Sequence, residues 1–282
     1  MKLKLLSSAL LGIALLVGCG GDNNQANTAT PSESAAPAEQ ANMATYNVGS
    51  QSAYPPFVLL DEKGNLVGLD IDILKAIGEK QNIKFNFVSE GARGIVDLLQ
   101  SVNKGDIDIL ATGINITESR LENNDFSKPY INGSWAVLLD KDTSGQVGSF
   151  EELSGKPITV QANSYSHTQL DNTNITDKAV PVDTLYLGLK ELKQQKAVAL
   201  YDVDIALAPY LEDSSLYTIK DTKSGTIPVG FALKKGDTEL KAKLDAGLEQ
   251  IKQDGTYDKI LAKWLNQAAT DIAKTSSESQ AQ

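Results

Sequence analysis

Two successive blocks of short apolar strands alternating with amphipathic helices constrain this chain more than any other feature. That alternation argues for parallel strands in α/β layers. In the first block, Tyr46 to Gly49 reads as a strand. Gly68 to Gln81 reads as a helix with Leu69, Ile73, Leu74 and Ile77 on one face. Lys84 to Val88 is a strand, Val96 to Val102 a helix, Ile107 to Thr112 a buried strand ending at Gly113, and Ser134 to Asp140 another strand. The pattern then restarts with strand Pro157 to Gln161, helix Thr184 to Gln194, strand Ala197 to Tyr201 and helix Ile205 to Leu211. Ile227 to Leu233 returns as a strand, and Thr238 to Asp254 and Tyr257 to Leu265 are closing helices. Ligands of open α/β sheets bind at the carboxyl ends of the strands. A chain with two such blocks therefore places its site in the cleft between them.

The flanks are of another kind. Lys2 and Lys4 precede an apolar run from Leu5 to Val17, too short to span a bilayer and suited to a signal peptide over residues 1–18. The run ends in Leu16-Val17-Gly18-Cys19, which resembles the lipobox of bacterial lipoproteins, whose cysteine is acylated, for example with palmitate. The bland reading of Cys19, a small hydrophobe in an N-terminal helix, stands beside it. As the single cysteine of the chain it has no internal disulfide partner. Two or three acyl chains would hold the protein to a membrane without spanning it. Residues 19–45 are dominated by Asn, Gln, Ala, Thr, Ser, Pro and Glu and read as a flexible tether, and residues 267–282 as a polar tail. The roughly 220 residues between them suffice for two domains of about 100 residues each.

The formal net charge is −10, and it becomes −12 without residues 1–18, which hold Lys2, Lys4 and no acid. Such an acidic surface disfavours nucleic acid and anionic lipid headgroups as partners. Hydrolase chemistry would have to use the one histidine, His167, and no Gly-x-Ser-x-Gly elbow is present. A zinc site lacks ligands, and no Walker or dinucleotide glycine pattern occurs, so neither a metal nor a cofactor is expected. Asp70 with Asp72, and Asp106 with Asp108, are carboxylate pairs at element ends, where solvated or capping roles are expected.

The run Thr112-Gly113-Ile114-Asn115-Ile116-Thr117-Glu118-Ser119-Arg120 is more informative. Thr117 looks like a helix N-cap, which puts Arg120 in the first turn, where a cation opposes the helix dipole. Either Glu122 or Asp125 neutralises Arg120, or its guanidinium awaits a ligand anion held bidentately. Asp202 follows the apolar strand Val198 to Tyr201 and either caps the helix from Ile205 or receives an ammonium group. One cation and one carboxylate at strand ends of separate blocks outline a clamp for a zwitterion.

These residues resemble family 3 of the bacterial extracellular solute-binding proteins, the amino-acid receptors of ABC importers. The landmarks are Tyr54-Pro55-Pro56-Phe57, Gly68-Leu69-Asp70-Ile71-Asp72-Ile73, Gly105-Asp106-Ile107-Asp108 and Ile116-Thr117-Glu118-Ser119-Arg120. Asp125-Phe126-Ser127-Lys128-Pro129-Tyr130 and Asp254-Gly255-Thr256-Tyr257-Asp258-Lys259-Ile260 complete them. The resemblance implies an α/β, two-lobed fold of the periplasmic-binding-protein type II, with hinge strands near Leu138 to Lys141 and Val229 to Leu233. Lobe one would be residues 46–139 and 229–266, and lobe two residues 140–228. It implies that Arg120 grips the ligand α-carboxylate, helped by Thr112, Asn115 and Thr117. The Gly113 carbonyl and Asp202 take the α-ammonium, and Tyr54 packs against the ligand side chain. It also implies ABC permease subunits as partners, a monomeric, exported state in the periplasm or at the cell surface, and binding by lobe closure rather than catalysis.

Three departures bear on the pocket. An aromatic residue usual before the second helix is replaced by the stretch Gly91-Ala92-Arg93-Gly94-Ile95, so the aromatic sandwich is incomplete or Arg93 enters the pocket. A Gly-Ser-Thr of lobe two is Asn163-Ser164-Tyr165, which shrinks the pocket or displaces a contact. Gln51 stands where receptors of basic amino acids often carry aspartate, with Glu90 as a substitute; Gln51, Glu90, Arg93 and Ile95 are thus the candidate side-chain pocket. Relatives that are cyclohexadienyl dehydratases offer an enzymatic alternative, for which His167 and Glu90 are the acid–base candidates. A sensory or adhesive lipoprotein is the other.

Overall fold

The computed structural model describes residues 43–91, 93–145 and 147–265; Cys19, the tether and the polar tail lie outside them. In the first lobe, β1 (Thr45–Ser50) leads into a small antiparallel sheet of β2 (Ala53–Tyr54), β3 (Val58–Leu60) and β4 (Leu66–Val67). Then come α1 (Leu69–Gln81), β5 (Lys84–Ser89), α2 (Ile95–Lys104), β6 (Ile109–Leu110), the short α3 (Glu118–Leu121) and β7 (Asn124–Phe126). The long β8 (Ile131–Asp140) carries the chain into the second lobe. That lobe contains β9 (Ile158–Gln161), α4 (Tyr165–Thr173), β10 (Ala179–Val182), α5 (Leu185–Lys193), β11 (Ala199–Val203), α6 (Asp204–Leu207) and β12 (Leu216–Lys220). β13 (Thr226–Val229) runs back beside β8, and β14 (Ala232–Lys234), α7 (Thr238–Gln253) and α8 (Thr256–Trp264) complete the first lobe.

The first sheet has the order β5-β1-β6-β14-β7 and the second β10-β9-β11-β8-β12. Both are mixed rather than wholly parallel. β14 is antiparallel to β6 and β7, and β8 is antiparallel to β11 and β12. The antiparallel strands are the ones contributed by the crossings between lobes, which the βαβ pattern does not encode. α1 forms where the sequence placed it, with Leu69, Ile73, Leu74 and Ile77 fully buried. Gly68 starts it at φ 139°, where a Cβ would lie 2.2 Å from the Phe57 carbonyl oxygen, so only glycine fits. In the second lobe, Trp135 stacks on Tyr201 at 5.7 Å between ring centres, and both are fully buried.

Three element expectations need correction. Leu138 to Lys141 is not a crossover, because Leu138, Leu139 and Asp140 are paired within the second sheet. The first crossover lies earlier, at Ser127 to Ser134. There the Ser127 amide donates to the Phe231 carbonyl (2.9 Å), the Tyr130 amide to the Val229 carbonyl (3.0 Å), and β8 pairs with β13. Ile227 to Leu233 is two strands, β13 and β14, which join different sheets across Gly230 and Phe231. Ile205 to Leu211 is not one helix, since α6 ends at Leu207 and a 3₁₀ turn with Pro209 continues to Glu212. β10 was not legible because Pro181 interrupts it; it is an edge strand, where proline is tolerated.

Candidate functional site

The carboxyl ends of β1, β6, β9 and β11 converge on a cleft between the lobes. Its inner part holds about 30 Å³ and is lined by Gln51, Tyr54, Ile95, Thr112 to Asn115, Arg120, Gln161 and Ser164 to Ser166. An outer part of about 510 Å³ shares Ile95, Arg120, Ser164 and Tyr165 and opens toward Val96, Gln100, Asn103, Asn123 and Asn163. The inner volume is enough for one or two waters. An amino acid therefore requires the lobes to separate or the outer part to take a share of it.

Arg120 stands in the short α3, whose N-cap is Thr117, with the Thr117 hydroxyl accepting from the Arg120 amide at 3.3 Å. Its side chain is fixed from below, Nη1 donating to the Asn115 carbonyl at 2.8 Å, and its guanidinium lies 5.9 Å from the Tyr165 ring centre across the cleft. Neither Glu122 nor Asp125 neutralises it. Asp125 pairs with Lys235 at 3.1 Å, and Arg120 forms no ion pair among the described residues. Burial lowers its pKa to about 10, so it remains a cation at neutral pH.

Asp202 faces it from the other lobe. Its Oδ1 accepts from the Val203 amide at 2.7 Å, from Ser166 Oγ at 2.9 Å and from Tyr54 Oη at 2.9 Å. The Tyr54 bond spans the cleft. Asp202 Oδ2 is buried and accepts nothing from the described residues. Burial pushes the carboxyl up to about 6, partly offset by those three donors. Asp202 does not cap the helix that follows, because Asp204 begins α6 and its own carboxylate accepts from the Ile205 amide.

The remaining candidates fall into place unevenly. Thr112, Gly113 and Asn115 form the wall after β6. Gly113 has φ 62°, and its amide donates to Asp70 Oδ2 at 2.8 Å. The Asn115 side-chain nitrogen is buried and donates to nothing described. Ser164 is spent as the N-cap of α4, accepting from the His167 amide at 3.1 Å and donating to the Gln161 carbonyl at 2.7 Å. Tyr165, at the first position of that helix, lines both parts of the cleft. Gln51 and Ile95 also line it. Glu90 and Arg93 do not; they pair with each other at 2.6 Å, and Arg93 Nη2 donates to Ser101 Oγ at 3.0 Å. His167 lines neither part.

Asp70 is a correction of another sort. It is neither solvated nor a cap: it is fully buried, bonded by the Gly113 amide and by the Tyr130 hydroxyl, and burial raises its pKa to about 7. It thus ties the binding wall to the first crossover. Asp72, by contrast, is held by Lys263 and Trp264 Nε1, and Asp108 accepts from the Asn47 amide. Ser166 was missed by sequence reasoning altogether, since a serine on a weakly amphipathic helix carries no signal.

A probable histidine-binding protein from Neisseria gonorrhoeae is 30% identical over 281 residues, covering 96% of this chain and 98% of that relative. The ABC transporter glutamine-binding protein of Bacillus subtilis (strain 168) is 27% identical, covering 92% of this chain and 95% of its own. Among solved structures, an ancestral arginine-binding protein bound to arginine superposes with a TM-score of 0.69 at 31% identity, over 79% of this chain and 99% of that one. An ancestral amino acid-binding protein described as a precursor of cyclohexadienyl dehydratase gives 0.71 at 29% identity, over 79% and 96%. Residues 46–267 match the model of the bacterial extracellular solute-binding proteins, family 3, and the chain belongs to that family.

Proposed function

We propose that this protein is the substrate-binding component of an ABC importer and captures a free amino acid by closing its lobes. The observation that carries this is a pair of charges on opposite lobes with no counterpart among the described residues, the guanidinium of Arg120, which forms no ion pair, and Oδ2 of Asp202, which accepts no hydrogen bond. A zwitterion satisfies both at once. In this reading Arg120, with Thr112, Asn115 and Thr117 around it, binds the α-carboxylate. Asp202 and the Gly113 carbonyl bind the α-ammonium. Tyr54, Ser164 and Tyr165 enclose the remainder. The lobes would be residues 46 to about 130 with 230–265, and about 131–229.

Binding in the cleft favours the closed state through contacts made to both lobes. Isothermal calorimetry with a panel of amino acids tests the reading; if none binds better than millimolar, it fails. Among relatives, the glutamine- and histidine-binding proteins support an amino-acid ligand by analogy. The two acid–base candidates of the dehydratase alternative, His167 and Glu90, line neither part of the cleft.

The anchor belongs to the same proposal: the Cys19 thiol acylated before residues 1–18 are removed, holding a monomer on a membrane beside its permease subunits. No helix among the described residues is long and apolar enough to cross a membrane. Cys19→Ala is expected to move the protein from the membrane fraction to the soluble one and to abolish palmitate labelling. Retention of label in that variant would remove the anchor.

A further inference from the structure

The inner cleft is lined by one charged residue, Arg120, with the Asp202 carboxylate behind Tyr54 and Ser166. If the α-groups of an amino acid use both, the side chain meets only neutral groups. Gln51, Thr112 and Gln161 are among these neutral polar groups, beside Asn115, Ser164 and Ser166. Asp70, which holds the Gly113 amide, is taken up by that bond and by Tyr130, and a further carboxylate beside the lining is Glu90, which directly follows β5 and whose amide bonds the Ser50 carbonyl at 2.8 Å, one residue before Gln51. That carboxylate is withdrawn. Arg93 Nη1 grips it at 2.6 Å, and Arg93 Nη2 is itself fixed by Ser101 Oγ. The same arginine sets Gln51, whose Nε2 donates to the Arg93 carbonyl at 2.7 Å while its Oε1 accepts from Thr112 Oγ1 at 3.4 Å. An amide carries two donor hydrogens and two acceptor lone pairs. Gln51 therefore keeps one of each for a ligand.

We propose that the Glu90–Arg93 pair, by silencing Glu90 and holding Gln51, makes this cleft selective for amino acids with neutral polar side chains over cationic ones. The inference rests on the amino-acid reading above. A lysine or arginine side chain would be buried with no counter-ion, whereas a side-chain amide or hydroxyl completes the free valences of Gln51. Several relatives that bind arginine are therefore not a guide to this ligand.

Calorimetry on the full chain with glutamine, asparagine, serine, arginine and lysine tests it. The best neutral ligand is expected to bind at least about tenfold tighter than either cation, a difference of about 1.4 kcal/mol. Arg93→Ala releases Glu90 and is expected to raise arginine affinity about tenfold or more, with the melting temperature as the control for folding. Adding Glu90→Gln to that variant is expected to cancel the gain. A wild-type preference for arginine or lysine overturns the inference while leaving the amino-acid reading intact. An Arg93→Ala variant with unchanged arginine affinity overturns the role of the ion pair. Failure of every amino acid to bind defeats both readings together.

Discussion

Arg120 holds a half-buried charge on one carbonyl and one aromatic face, an arrangement that is costly unless an anion completes it. Replacing it leaves the ligand carboxylate enclosed without a partner. Arg120→Ala is therefore expected to weaken amino-acid binding at least about a hundredfold, since half of a buried charge pair costs roughly 3–5 kcal/mol. Calorimetry reads this directly, and wild-type affinity in the variant would sink the clamp. Asp202 makes a pH prediction. Its pKa in the unliganded protein is raised to about 6, so above that value the carboxylate is charged and ready for an ammonium group. Below it a proton competes with the ligand. Affinity is expected to be flat from pH 8 to about 6 and to fall about tenfold per unit beneath, a slope that Asp202→Asn should abolish. An equal slope in the variant would assign the titration elsewhere.

At the scale of elements, the site is made by segments that follow strand ends rather than by strands themselves. The turn after β6 is the tightest of them. Gly113 has φ 62°, and a Cβ there would come within 2.6 Å of the Phe57 ring and 2.9 Å of Tyr54. Gly113→Ala must therefore displace the aromatic pair, which stacks at 5.4 Å and includes the residue that reaches Asp202. The left-handed conformation alone costs about 1–2 kcal/mol with a side chain. A lower melting temperature together with weaker binding is expected, and a variant with both unchanged would show that the turn tolerates a methyl group. α4 illustrates what the sequence did not disclose: Ser164 caps it and Tyr165 starts it, but its small hydrophobic face, with Leu170 buried, gives little periodic signal. α7 was legible for the opposite reason, with Leu240, Leu244, Leu248 and Ile251 buried along one face.

For the molecule as a whole, the two lobes share the antiparallel pair β8 and β13 and meet again through the Tyr54–Asp202 bond. A ligand held by both lobes stabilises the native state by mass action. At a hundred times its dissociation constant it adds about 2.7 kcal/mol. For a chain of this size, that raises the melting temperature by roughly 5–11 °C. Scanning calorimetry with and without the tightest ligand of the panel measures it; no shift at saturation would mean that the ligand does not engage the folded chain.

Apolar periodicity and ordered motifs are local properties of the chain, and they suffice for the family, the two α/β blocks and the identities of the two charges. The place where the chain crosses between lobes lay outside that reach, since only Ser134 to Asp140 reads as a strand and the part of β8 that pairs with β13, Ile131 to Ser134, is revealed by its partner. Nor does local pattern show what neutralises what. Glu122 and Asp125 are close to Arg120 along the chain, yet the fold sends Asp125 to Lys235 and leaves Arg120 with no ion pair among the described residues. Asp70 looked like a surface carboxylate and is buried between Gly113 and Tyr130, and Arg93 looked free to enter the cleft and holds Glu90 instead. Pairing and burial depend on groups brought together from distant parts of the chain, and only the tertiary structure decides them.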